Sequence, residues 1–245
     1  MVLQNQFGIL ANEYAKGRRE YPQELFEYLK SLKLEMYTKV LDVGCGTGIA
    51  TRQLKEYGFE VVGVDKDTQM IEKAKSKNDG ITYFVAPADN LPFEDAQYDI
   101  ITTFTSLHWF DDDQSMIELK RVLKESGLFF SALKWTEKDT TFYREFKSIS
   151  EKYVGSRFDS SKNYKPKELL EKWHFKNIHE RTFYQNEQYS VNEALTWVRS
   201  ISFWNLVNDN ERVNILSELE AFFLRYSNDG LVAISRVITT TAGLK

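Results

Sequence analysis

Residues 40–48 read Val-Leu-Asp-Val-Gly-Cys-Gly-Thr-Gly, an apolar run that breaks directly into three closely spaced glycines. Such a run suits a parallel strand buried on both faces. Glycines at its end permit positive φ and let the backbone approach a ligand closely. With a helix behind it, this is how an α/β domain builds a pocket of nucleotide type. Two such ligands fit the spacing poorly. A dinucleotide turn has the form G-x-G-x-x-G/A, yet the last position is Ile49 counted from Gly44 and Thr51 counted from Gly46. A triphosphate loop ends in G-K-[ST], and no such tripeptide occurs.

The pattern on either side continues the α/β alternation. Residues 1–37 read as helices, with Leu25, Phe26, Leu29 and Leu32 at helical spacing and Tyr21-Pro22 at a helix start. After the glycines the pattern predicts a helix over 49–57, a strand over 59–64 and a helix over 68–77. Strands are predicted over 81–86 and 100–104. A helix capped from Asp111-Asp112-Asp113 follows, then a strand over 128–133. Alternating strands and helices with short turns give a doubly wound parallel sheet. From residue 134 aromatics become dense and the alternation stops. Residues 137–154 and 166–173 read as helices, 178–189 as a strand, 191–226 as two helices and 231–241 as a last strand.

Composition narrows the classes. A chain of 245 residues suits one α/β domain with an insertion or cap. Its net charge of −4 offers no broadly basic face, which argues against a nucleic-acid partner. The single cysteine, Cys45, excludes an internal disulfide framework and fits a reducing compartment. Inside the glycine turn it reads as a small packed side chain. No signal peptide and no apolar stretch of about 20 residues is visible, so the expectation is a cytoplasmic protein without membrane attachment. His108, His174 and His179 lack the spacing of a zinc site, so no metal is expected.

The motifs of residues 40–133 together resemble those of the class I S-adenosylmethionine-dependent methyltransferases. The glycine string after Asp42 has that family's D-x-G-x-G-x-G form, with Gly44, Cys45, Gly46 and Gly48 in the turn. Val61-Val62-Gly63-Val64-Asp65 resembles the second strand, whose terminal acid holds both ribose hydroxyls. A carboxylate at that strand end suits a vicinal diol, and it lies ~20 residues past the glycines. Ala88-Asp89-Asn90-Leu91-Pro92-Phe93 resembles the adenine-contacting loop, and residues 98–104 and 119–127 resemble the fourth strand and the helix before the fifth. The resemblance implies S-adenosylmethionine as cofactor and a Rossmann-like seven-stranded sheet with an antiparallel last strand and a helical cap. It divides the chain into a helical lid over 1–37, a cofactor core over 38–135, a substrate cap with strand six over 136–230 and a final strand over 231–245.

Further site residues follow from the same likeness. Tyr14, Arg18 and Tyr21-Pro22 resemble an N-terminal element that folds over the cofactor, with Arg19 standing where the family often has proline. Arg18 is the expected partner of the methionyl carboxylate, a task that suits a guanidinium. Asp42 lies by the cofactor's amino-acid part, accepts N–H bonds from the turn, or does both. Lys66 and Thr105 join the cofactor set, and Met70 either packs on the adenine or belongs to the core. The pair His108-Trp109 resembles a subset acting on small molecules, similar to trans-aconitate methyltransferase. His108 is a candidate base, a polar contact in the site, or a loop residue packed on Trp109. Trp109 and Arg199 are the substrate candidates. The expected reaction is in-line methyl transfer to a small molecule, with a carboxylate as one acceptor that needs no base. The alternatives are an RNA or protein methyltransferase and a cofactor-binding module without catalysis.

Overall fold

A computed structural model of the chain describes residues 11–32, 38–159 and 164–245. Part of the expected N-terminal lid, residues 1–10 and 33–37, therefore lies outside the described residues.

Helices α1 (Ala11–Gly17) and α2 (Gln23–Leu32) lead into the expected alternation: β1 (Lys39–Val43), α3 (Ile49–Glu56), β2 (Glu60–Asp65), α4 (Thr68–Lys75), β3 (Thr82–Val85), β4 (Tyr98–Phe104), α5 (Asp113–Val122) and β5 (Leu123–Thr136). Then come α6 (Thr141–Val154), α7 (Pro166–Lys172), β6 (Lys176–Ser190), α8 (Val191–Arg199), α9 (Arg212–Tyr226), β7 (Ser227–Asn228) and β8 (Leu231–Leu244). The helix predicted from 137 starts only at Thr141, because the Thr140 hydroxyl caps it by accepting from Tyr143 N at 3.1 Å.

The sheet order is β3-β2-β1-β4-β5-β8-β6. β1, β2, β3, β4 and β5 pair in parallel. β8 runs against β5: Lys245 N donates to Gly127 O and Glu137 N to Ser235 O, so residue numbers fall along one strand as they rise along the other. The small β7 is an eighth strand beyond the seven expected. It forms a tight hairpin with β8 through Asp229 and Gly230, both at positive φ (49° and 78°). Asp-Gly is a hairpin signal that this stretch of sequence did carry. The order of strands reverses between β1 and β4, where an open α/β sheet binds its ligands beyond the strand C-termini.

The chain divides into two compact units, one of residues 20–134, 164–183 and 238–245, the other of 1–19, 135–163 and 184–237. In the larger unit, consecutive strand residues feed opposite faces of the sheet, as a period of two requires. Val40, Ile100 and Phe130 pack with Leu25, Phe26 and Leu29 of α2, whereas Leu41, Ile101 and Phe129 pack with Met116 and Leu119 of α5. Leu170 and Phe175 belong to this second core, so α7 joins the larger unit although composition had put it in the cap. In the smaller unit Phe142, Phe146, Trp197, Phe203, Phe222 and Phe223 form an aromatic core shared by α6, α8, α9 and the short helical turn Ser202–Leu206. Among the described residues no helix is long and apolar enough to cross a membrane.

Candidate functional site

The glycine turn is fixed from several sides. Gly44 N and Cys45 N both donate to Val64 O at the end of β2 (2.8 and 3.0 Å). Ser106 Oγ donates to Val43 O at 2.8 Å, joining the loop after β4 to the end of β1. Gly44 has φ +68°, and a Cβ there would stand 2.5 Å from Ser106 Cβ. Arg52 of α3 donates to Thr47 O at 2.9 Å and reaches Asp79 at 3.8 Å, while Tyr83 donates its hydroxyl to Asp79 at 2.9 Å. The Arg52 guanidinium thus links the turn to Asp79, which the Tyr83 phenol also holds.

Asp42 is buried at 1 % exposure. Of the two roles expected for it, acceptance of N–H bonds from the turn is not what its carboxylate does. It accepts instead from two hydroxyls, Thr51 Oγ1 of α3 at 2.6 Å and Thr102 Oγ1 of β4 at 3.0 Å. Thr102 is its registered neighbour across the sheet, so the side chain points at a partner in the next strand. Burial pushes this carboxyl up to about 7, against the lowering effect of the two hydroxyls.

Asp65 accepts from Gly46 N on one oxygen and from Asp67 N on the other, both at 2.9 Å. An ionised carboxylate has about four acceptor positions, so two stay available for a ligand. Burial raises its pKa, and the two N–H bonds oppose that shift. Burial also pushes the Cys45 thiol up, with the Asp65 and Asp42 carboxylates adding to it. The thiol is protonated, which fits a packed side chain better than a reactive one. Met70 is buried, Ala88 half-buried, and Lys66, Asp89 and Asn90 are exposed.

Thr105, directly after β4, has φ +54°, a strained conformation for a β-branched residue. Its backbone N donates to Ala132 O, and its hydroxyl lies 2.9 Å from Tyr21 Oη and accepts from Lys134 N at 3.1 Å. Tyr21 is itself held at both backbone groups by the Gln53 amide, at 2.9 Å in each direction. Gln53 was not among the sequence candidates, because its role depends on which way α3 faces. His108 sits in a short helical turn, its ring 4.9 Å from that of Trp109 and 5.8 Å, edge-on, from that of Tyr164. Burial lowers its pKa to about 4, so the imidazole is neutral at pH 7.

The structure groups Asp42, the glycines, Cys45, Asp65, Met70, Thr105, His108 and Trp109 in the larger unit. Tyr14, Arg18 and Arg199 belong to the smaller one, where α1 packs on α8. Arg18 stacks on Tyr14 at 5.0 Å and donates to Ser200 O at 3.1 Å, with its Nε buried and unpartnered. Arg19 pairs with Glu193 at 2.8 Å, and Arg199 meets Glu13 at 4.0 Å. Each of these cations therefore has a partner inside its own unit. Among the described residues no three His, Cys, Asp or Glu side chains form a metal-binding group.

Comparison with known proteins bears on this arrangement. Residues 41–131 match a family described as a methyltransferase domain. An uncharacterized methyltransferase of Schizosaccharomyces pombe is 25 % identical over 212 residues, 85 % of this chain and 83 % of that protein. A malonyl-[acyl-carrier protein] O-methyltransferase of Enterobacter lignolyticus is 26 % identical over 62 % of this chain and 61 % of its own. The solved structure of a putative type II methyltransferase from Anaeromyxobacter dehalogenans superposes with a TM-score of 0.65, at 21 % identity, over 93 % of this chain and 97 % of its own.

Proposed function

From the membership of this chain in the class I S-adenosylmethionine-dependent methyltransferases, we infer that the larger unit holds the cofactor at the ends of β1 and β2 and that the methyl goes to a small molecule. The observation that carries the cofactor reading is the junction of Gly46 and Asp65. The turn's own N–H orients a carboxylate whose remaining lone pairs suit a pair of ribose hydroxyls. The turn fits the rest of the ligand as well. The Thr47 hydroxyl, in the same turn, is buried without a hydrogen-bond partner in the protein. Ala88, Asp89 and Asn90 on their exposed loop are the proposed adenine contacts, and Met70 lies buried at the start of α4.

S-Adenosylmethionine supplies an electrophilic methyl on a sulfonium, so the residues of this chain need only orient the nucleophile and keep water away. His108 is poorly suited to take a proton, because a base with a pKa near 4 holds one weakly at neutral pH. An acceptor whose lone pair is already free at pH 7, such as a carboxylate, requires no base. The similarity to a protein named as a malonyl-[acyl-carrier protein] O-methyltransferase supports an oxygen acceptor. His108 then serves as a neutral polar contact beside Trp109.

Two outcomes are expected of variants. Asp65→Asn weakens S-adenosylmethionine binding by roughly ten- to a hundredfold, the worth of hydrogen bonds to a charged group, whereas Asp89→Ala on its exposed loop costs less. Isothermal titration reads both, and equal affinities would remove Asp65 from the ribose site. His108→Ala lowers turnover at unchanged cofactor affinity, and the wild-type rate shows no ionisation near pH 6.5. The function itself is tested with methyl-deuterated S-adenosylmethionine and a cell extract separated into small-molecule, RNA and protein fractions. Label in a metabolite supports the reading and identifies the acceptor. Label confined to RNA or protein overturns it.

A further inference from the structure

The turn that carries His108 has a neighbour that no motif pointed to. Tyr164 enters the larger unit just ahead of α7 and packs against the core that contains Leu170 and Phe175. Its ring meets His108 edge-on, with 5.8 Å between centroids and planes at 64°. Its hydroxyl oxygen is buried and has no hydrogen-bond partner. A buried hydroxyl normally finds one, and leaving it without costs more than a typical hydrogen bond contributes. A phenylalanine here would keep the ring contacts at no such cost. Burial, with the Asp111 carboxylate nearby, raises the phenol's pKa, so it stays a donor throughout the working range.

We propose that Tyr164 is an acceptor-binding residue whose hydroxyl donates to an oxygen of the small molecule lying against His108 and Trp109. The proposal rests on the small-molecule reading given above. It adds a group that fixes which acceptor atom faces the methyl. Two aromatic rings and an imidazole offer flat surfaces to the body of the acceptor, and one uncharged O–H fixes its orientation. With a carboxylate acceptor, one oxygen accepts from Tyr164 while the other attacks the methyl carbon. The new O–CH3 bond forms as the S–CH3 bond breaks. Its electron pair goes to sulfur, giving a neutral thioether and a neutral ester. No proton changes hands, which is compatible with a His108 that stays neutral.

The test compares wild type with Tyr164→Phe. Each receives methyl-deuterated S-adenosylmethionine and serial dilutions of the small-molecule fraction of a cell extract. Melting temperature and S-adenosylhomocysteine affinity are measured alongside. The expected variant requires an extract on the order of tenfold more concentrated for half-maximal labelling, the loss of one hydrogen bond in a dry site. Its melting temperature is equal or higher, since the hydroxyl has no partner within the protein, and its S-adenosylhomocysteine affinity is unchanged. Superimposed labelling curves overturn the role of Tyr164 and leave the small-molecule reading intact. A lower melting temperature or weaker S-adenosylhomocysteine binding shows a structural hydroxyl and also overturns it. A wild type that labels nothing in the small-molecule fraction removes the reading beneath the proposal, and the proposal with it.

Discussion

Gly44→Ala is expected to destabilise the protein by about 2–5 kcal/mol and to abolish measurable S-adenosylmethionine binding. Two independent costs add. A left-handed backbone at φ +68° is worth about 1–2 kcal/mol against a residue with a Cβ. The new methyl would then stand 2.5 Å from Ser106 Cβ and 3.0 Å from Phe110 Cε1, and overpacking of that sort costs typically 1–3 kcal/mol. Ser106 cannot retreat freely, because its hydroxyl is bonded to Val43 O. The turn must move instead, and it carries the N–H that orients Asp65. Urea unfolding and titration calorimetry measure the two effects. Adding Ser106→Gly in the same chain removes the worst overlap and restores part of the stability, while the cost of the backbone conformation persists. A Gly44→Ala protein within half a kcal/mol of wild type would show that the turn relaxes with ease.

Asp42→Asn is expected to alter how stability depends on pH. The Asp42 carboxyl titrates near 3.8 in the unfolded chain and near 7 in the fold, so the folded state holds a proton that the unfolded state releases. Its contribution is fully present below about pH 4 and is lost as pH rises through 7. The difference of about three pKa units corresponds to ~4 kcal/mol. His108 acts in the opposite sense. Its pKa falls from 6.5 to about 4 on folding, so its contribution is present above 6.5 and lost as pH falls toward 4. Between pH 4 and 6.5 the two groups nearly cancel in the wild type. Removing the titration at 42 exposes the His108 slope, close to 1.4 kcal/mol per pH unit at its steepest. Asp42→Asn should therefore gain stability relative to wild type as pH rises from 4 to 8. The double variant with His108→Ala should again be flat. Parallel pH profiles for wild type and Asp42→Asn would show that Asp42 is ionised throughout.

Much of the core was legible because its chemistry lies in contiguous residues. The apolar run before Gly44, the acid that closes β2 and the alternation from 38 to 135 all state a local conformation, and the strands form where that pattern puts them except that β5 begins at Leu123, ahead of the predicted 128. What was not legible depends on facing. Asp42 finds Thr51 and Thr102 because α3 crosses over β1 and β4 lies beside it, and neither fact is written near residue 42. The Gln53 amide could be assigned to Tyr21 only once the direction of that face of α3 was known. Tyr164 reaches His108 because the chain returns to the larger unit before α7, where the aromatic-rich composition gave no sign of a boundary. Arg18 and Arg199 looked like anion receptors by residue type, but the packing of α1 on α8 supplies each with a local partner. The hairpin at Asp229-Gly230 differs from these. Its signal was local, and a two-residue strand is too short for periodicity to reveal.

The ring of Tyr83 has a consequence for how this sequence is able to change. It occupies the space that a side chain at Gly48 would need, with its hydroxyl 2.6 Å from the added Cβ, and equally the space at Gly63, with its Cδ1 at 2.6 Å. Two positions in separate motifs are thereby tied to a third that belongs to neither. A lineage that drifts toward alanine at 63 must first shrink residue 83, and a lineage that keeps the tyrosine has both glycines frozen. The order of substitutions is constrained, so 63 and 83 should vary together among descendants of this chain, whereas 48 keeps its glycine in either case because its φ of +76° disfavours any Cβ.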